Sequence, residues 1–252
     1  MTLKSVVRKL LPEKLGHAIG NRLIQRRERE LGQLPLQEAF DEVYKRGMWK
    51  QGSSPSGLGS EGLLAEQYIS LVQDYAAKHN LSTVVDGGCG DFSIGARLAP
   101  SFERYTALDV SPRIIGINRQ RYIELAHRNV TFATADMTVS KFPAADLVLI
   151  RQVLQHLTNA QIEKILQNLE GSSWRRALIT ESVHDPRNNP SPNLDLPSHS
   201  VRTRTSFGSG VFLDKPPFNR PAKRLAILYP TEVETPGGLL VLELSREDRQ
   251  LA

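Results

Sequence analysis

Gly87, Gly88 and Gly90 fall within four positions, directly after the apolar run "TVV" and Asp86. Glycines at the end of a strand let a backbone lie close against a ligand, because no Cβ stands in the way. Several ligand chemistries compete for such a loop. A dinucleotide fingerprint needs G-x-G-x-x-G, with its last glycine in the first helical turn. Gly88 and Gly90 fill the first two places, but Ser93 stands in the third. A phosphate-cradling P-loop needs a lysine followed by Ser or Thr, and none follows here. Asp86 repels a pyrophosphate. Its carboxylate suits the ordering of the loop itself or, through water, a cationic amino-acid moiety.

Those residues need a scaffold that brings strand ends together. From residue 83 onward apolar strand runs alternate with helical periods. "TVVDGG", "RYTALDVS", "VTFATADM", "ADLVLIRQVLQHL" and "RRALITES" read as five strands. "SIGARLAP", "PRIIGINRQRYIELAHR" and "NAQIEKILQNLE" read as the intervening helices, with Pro112 at a helix start. This order predicts an α/β fold, a parallel sheet covered by helices on both faces. "KRLAILYP" and "GGLLVLELS" follow a long aperiodic stretch, and their short connection predicts an antiparallel pair. Before residue 83, "LLAEQYISLVQDYAAKHN" reads as a helix, and Leu3, Val6, Leu10, Leu15 and Ile19 form an amphipathic stripe with basic flanks. That stripe predicts packing on the chain's own domain, with peripheral membrane contact as the alternative.

"VVDGGCGDFSIG" resembles motif I, D-x-G-x-G-D-(aromatic), of the class I S-adenosylmethionine-dependent methyltransferases. The similarity covers residues 82–245. It implies a doubly wound, mostly parallel seven-stranded sheet with a reversed final strand, and the helical periods ahead of residue 82 add an N-terminal helical extension. It also implies S-adenosylmethionine as cofactor, held by Asp86, Gly87, Gly88 and Gly90. "ALDVSP" then supplies Asp109, beside Val110, for the ribose hydroxyls, and "ATADM" supplies Asp136 and Met137 for the adenine. A carboxylate at Asp109 can accept both ribose hydroxyl hydrogens, and such charge-assisted bonds are strong. Taken singly, Asp109 reads equally as a strand-end cap and Asp136 as a turn residue.

Methyl transfer from this cofactor needs an aligned acceptor and, for a hydroxyl, a base. His156, just past the fourth strand, is the first candidate, since histidine titrates near neutrality. Capping a helix or packing beside the adenosine is the competing role. Glu181 and His184, after the fifth strand, are further catalytic candidates, and Glu181 suits a helix N-terminus equally. Arg151 is placed with the cofactor and Gln152 with the acceptor. No spacing suggests a metal site, and Cys89 reads as a packing residue. "FDEVYKRGMWKQGSSPSGLGSEG" resembles a segment of small bacterial methyltransferases, many of which act on sugars, glycans or natural products. It places Tyr44, Trp49, Ser56 and Ser60 over the cofactor or acceptor, although Phe40, Tyr44 and Trp49 also fit a core. "DKPPFNRPAKRL" brings Phe218 and Asn219 towards the acceptor in the same way.

The chain of 252 residues divides into a helical extension with a covering loop (1–62) and a cofactor domain (63–252) with a substrate loop at 182–222. A net charge of +5 permits acidic partners, yet neither an RNA-binding module nor an N/D-P-P-[YF] tetrad after the fourth strand is present. A single cysteine and an opening segment broken by charges predict the cytoplasm. The expected activity is methyl transfer to a hydroxyl of a small molecule or saccharide. Methylation of RNA or protein, and a non-catalytic scaffold, are the alternatives.

Overall fold

Valines and leucines in unbroken pairs give strands that bury both faces, and these strands build the centre of the sheet. The computed structural model describes residues 26–50, 60–184, 191–231 and 237–246. The amphipathic stripe expected before residue 25, and Ser56, lie outside them. The strands are β1 (Thr83–Gly87), β2 (Arg104–Asp109), β3 (Val130–Thr134), β4 (Ala145–Arg151), β5 (Trp174–Val183), β6 (Lys223–Leu228) and β7 (Gly238–Ser245). They form one seven-stranded sheet in the order β3-β2-β1-β4-β5-β7-β6. β1 to β5 pair in parallel, while β7 runs antiparallel to both β5 and β6. This is the class I methyltransferase topology, with its reversed last strand.

Side chains alternate between the two faces of a strand, so adjacent apolar residues feed different cores. Val85, Val148, Ile150 and Ile179 pack on one side with α1 (Leu36–Arg46) and α6 (Asn159–Glu170). Val84, Leu147, Leu149 and Leu178 pack on the other with α2 (Gly62–Lys78) and α3 (Ser93–Leu98). Burying one such aliphatic side chain contributes about 1.5–3 kcal/mol, so β4 anchors the molecule.

The helix ends explain themselves locally. Thr158 and Gln161 form a capping box at α6, and Gly47 (φ +58°) ends α1 in the left-handed conformation that glycine favours. Ser111 caps α4 (Pro112–Arg121), with Pro112 in the first turn. The expected single helix from Pro112 onward is two, because the chain breaks at Tyr122 before α5 (Ile123–Arg128). The Tyr122 ring turns onto Phe92, 5.3 Å between centroids. The parallel strands all end at one edge, and the strand order reverses between β1 and β4, where doubly wound sheets bind ligands.

Candidate active site

A cavity of about 440 Å³ opens at that switch point. Its floor is the β1–α3 loop. Gly88 (φ +79°) and Gly90 (φ +56°) both take left-handed backbone. A Cβ on Gly88 would sit 2.3 Å from Val153 Cγ2, and one on Gly87 2.5 Å from Met137 Sδ. The N–H groups of Gly88 and Cys89 donate to the Leu108 carbonyl at 2.8 and 2.9 Å, which folds the loop back over β2. Ser93, the residue that breaks the dinucleotide pattern, donates its N–H and hydroxyl to Asp91 Oδ1 at 3.2 and 2.9 Å. The Cys89 thiol is held protonated by burial, reinforced by Asp109 and Asp86.

Four carboxylates line this end: Asp86, Asp91, Asp109 and Asp136. Asp86 Oδ2 accepts the Tyr105 hydroxyl at 2.9 Å. Burial lifts its pKa to about 6, against the pull of Tyr105 and Arg151. Asp109 accepts the N–H of Gly90 (3.1 Å) and of Ser111 (2.9 Å), and burial lifts it likewise to about 6. Asp136 Oδ1 accepts both the N–H (2.8 Å) and the hydroxyl (2.7 Å) of Thr138. Val110, Met137 and Arg151 complete the wall. The Arg151 guanidinium lies 4.9 Å over the Tyr68 ring, and burial lowers its pKa.

The other end is roofed by α1 and by the chain after residue 200. Phe40, Tyr44, Trp49 and Ser60 line it from the N-terminal side. Val201, Arg202, Thr203 and Ser206 line it from the far side. The Trp49 ring lies 4.9 Å from His156 and 5.6 Å from both Phe40 and Tyr44, so it is enclosed by its neighbours. Its Nε1–H donates to the Val201 carbonyl at 3.1 Å and ties the two halves of the roof. His156 sits on the 3₁₀ turn Leu154–His156, buried, with Nδ1 3.0 Å from the Ser200 carbonyl. A carbonyl only accepts, so Nδ1 carries the hydrogen and Nε2 keeps a lone pair, 3.4 Å from the Gln155 amide nitrogen. Burial drives the His156 pKa down to about 4.

Several expected site residues stand elsewhere. Glu181 is buried outside the cavity lining, and its carboxylate accepts the N–H groups of Val153, Leu154 and Gln155. That is the cap role, with no oxygen aimed at an acceptor. His184 is exposed and outside the lining. Phe218 is core, 2% exposed, and Asn219 faces solvent with its amide 3.4 Å from the Pro217 carbonyl. Neither reaches the cavity, because the segment turns away before β6. Gln152 does line it, in left-handed backbone (φ +55°), with its amide on Ser182 Oγ at 3.1 Å.

Sequence reasoning missed Tyr68 and Tyr105, which set Arg151 and Asp86, and it missed Asp41. Asp41 Oδ1 accepts the Ser111 hydroxyl (2.6 Å) and the Arg113 N–H (3.1 Å), tying α1 to the strand end at Asp109. An acidic residue on the otherwise amphipathic "FDEVY" was the available signal. Among the described residues no group of three or more His, Cys, Asp or Glu is placed to hold a metal ion.

The donor set suits S-adenosylmethionine. Buried carboxylates face a ligand that brings positive charge and hydroxyl donors, and they would repel the diphosphate of a dinucleotide. A family model described as "Methyltransferase domain" matches residues 84–172. Nodulation protein S of Sinorhizobium fredii (strain NBRC 101917 / NGR234) is 28% identical over 117 residues, 46% of this chain and 53% of that protein. The chain thus spans about half the length of this curated relative. N-methyltransferase NodS from Bradyrhizobium japonicum WM9, solved with S-adenosyl-L-homocysteine, superposes with a TM-score of 0.54 at 17% identity, covering 80% of this chain and 97% of that one. Magnesium protoporphyrin IX methyltransferase (ChlM) from Synechocystis PCC 6803, with bound S-adenosylmethionine, gives 0.52 at 18% identity over 83% and 95%. The methyltransferase domain of bacterial CtHen1 gives 0.52 at 19% identity over 71% and 98%. The chain shares the fold of the class I S-adenosylmethionine-dependent methyltransferases, and residues 84–172 match a methyltransferase domain.

Proposed function

We propose that this chain methylates a hydroxyl of a small molecule or saccharide, with His156 as the base. S-adenosylmethionine, when bound, supplies a methyl group on a cationic sulfur. Asp109 is assigned the ribose hydroxyls, Asp136 and Met137 the adenine, and Asp86 with the glycine loop the amino-acid end. These charges raise local affinity for a cation, and the neighbouring Arg151 limits the excess. Binding and orientation are the protein's main contributions, since the reactive group comes preactivated.

The observation that carries the hydroxyl reading is the fixed tautomer of His156. Its Nδ1 is committed to Ser200, so the lone pair that would take a proton is on Nε2, where the Gln155 amide nitrogen lies 3.4 Å away and must give way to the acceptor hydroxyl. The depressed pKa keeps the ring neutral throughout the physiological range. Transfer of labelled methyl to small-molecule and saccharide fractions, but not to bulk RNA or protein, is the expected result. His156→Gln should lower kcat by about 10²–10⁴-fold, the usual worth of a positioned base, with S-adenosylhomocysteine affinity retained. Label appearing in RNA alone, or an unchanged rate in the variant, would sink this assignment.

A second reading has its own observation. A histidine held near 4 is a weak base, and a neutral amine acceptor needs none. NodS from Bradyrhizobium japonicum is an N-methyltransferase. An amine acceptor would give a rate that follows the acceptor's own pKa and survives His156→Gln.

A further inference from the structure

Two ionisable side chains are buried against the turn that carries His156, and neither lines the cavity. Glu181 is 1% exposed and Arg204 is 0% exposed. The Glu181 carboxylate accepts from Val153 (3.1 Å) and Leu154 (2.8 Å) through Oε1, and from Gln155 (3.1 Å) through Oε2. Those three N–H groups open the 3₁₀ turn and have no partner within it. At the far end, Arg204 Nη2 donates to the Leu157 carbonyl at 2.6 Å, and Nη1 to the Leu194 carbonyl. The two charges attract one another across the turn. Between them His156 is pinned on both sides to Ser200: Ser200 N–H donates to its carbonyl at 2.9 Å, and its Nδ1 meets the Ser200 carbonyl.

This is an expensive way to cap one short turn. Burying a charge costs several kcal/mol before its partners offset it, and a serine or threonine caps a turn without that cost. Burial lifts the Glu181 pKa to about 7, so its ionised form is under strain at neutral pH. Replacing a buried ion pair by apolar residues is often neutral for stability, so the role of this pair is sought in the geometry it holds. The geometry held is specific: Val153 packs within 2.3 Å of any Cβ on Gly88, and His156 packs on Trp49.

We propose that Glu181 and Arg204 are paired positioning residues for methyl transfer. The carboxylate draws the amide end of the Val153–Leu157 turn onto β5. The guanidinium draws its carbonyl end onto the 191–209 segment. Together they fix the reach of His156 Nε2, and the seat of Val153, against the glycine loop. The proposal rests on the reading of this cavity as the methyl-transfer site.

The test uses the full chain: an NMR titration of the histidine rings with the two tryptophan indole signals recorded alongside, and calorimetry with S-adenosylhomocysteine. In Glu181→Gln an amide N–H faces a backbone N–H, and in Arg204→Lys the charge stays but two carbonyls cannot both be reached. In each variant the His156 pKa should climb from about 4 towards its ordinary 6.5 as the turn loosens. The Trp49 indole signal should move with it, and the Trp174 indole, bonded to the Leu169 carbonyl at 2.6 Å, should not. Cofactor-product affinity should stay within about threefold, because the carboxylate end is untouched. Arg176→Gln, which breaks the buried ion pair with Glu243 at the other end of β5, is the control for general destabilisation. An unchanged His156 titration in both variants, or an equal change in Arg176→Gln, overturns the proposal. Should Glu181→Gln fail to fold, Arg204→Lys decides alone. Wild-type chain that binds no S-adenosylhomocysteine overturns the cofactor reading instead, and leaves the histidine result to stand on its own.

Discussion

Asp109 holds Gly90: the carboxylate Oδ2 accepts the Gly90 N–H at 3.1 Å, while Oδ1 accepts the Ser111 N–H at 2.9 Å. One side chain thus sets the glycine loop and the start of α4 while facing the cavity. Asp109→Asn replaces one acceptor oxygen by a donor and sets it against a backbone N–H. Hydrogen bonds to a charged group contribute about 1.5–3 kcal/mol, so S-adenosylhomocysteine affinity should fall about 10–100-fold by calorimetry. An affinity within error of wild type would remove Asp109 from the cofactor site.

Asp86 should show stability given up for binding. Its pKa is about 6 in the fold against an ordinary 3.8. A carboxyl raised in the folded state binds its proton more tightly there, so stability is lost as pH rises from about 4 through 6. Asp86→Asn should therefore stabilise the ligand-free protein at pH 7.5 by up to about 3 kcal/mol, and hardly at all at pH 4. Urea melts at both pH values check the sign. The same variant should lose cofactor affinity.

His156 runs the other way. Burial depresses its pKa to about 4, so the unfolded ring takes up a proton that the folded ring refuses. The stability it supports is complete above about pH 6.5 and is lost as pH falls towards 4. Denaturant melts of wild type and His156→Gln should converge by about 3 kcal/mol between pH 7 and pH 4.

Gly88 and Val153 should be coupled. Gly88→Ala meets Val153 Cγ2 at 2.3 Å and also a backbone φ of +79°. Adding Val153→Ala relieves the clash but leaves the backbone strain, which costs about 1–2 kcal/mol. The double variant should melt above the Gly88→Ala single variant and below Val153→Ala. Strict additivity would show that the loop and the turn do not touch in solution.

The floor of the site was legible because each of its residues adjoins a strand in sequence. Asp86, Gly88 and Gly90 follow β1, and Asp109 ends β2. Alternation of the strands then sufficed to bring them to one edge. The roof was not legible in the same way. Phe40, His156 and Val201 lie far apart in the chain and meet only through packing, so no spacing rule joins them. Glu181, expected after the fifth strand, stands within β5, and its direction depends on three N–H groups almost thirty residues away. Phe218 was placed towards the acceptor by the resemblance of its segment alone, and packing, which no local motif reports, puts it in the core.

The roof has a consequence for the order in which the site is made. The Trp49–Val201 hydrogen bond joins residues 152 positions apart, and the His199 ring meets the Leu31 carbonyl across 168. Contacts so distant in sequence form late, because the loop-closure entropy must be met before they reward it. The ties of the floor, Gly90 to Asp109 and Tyr105 to Asp86, each close 19 positions, so the floor asks far less chain entropy of the folding chain than the roof does.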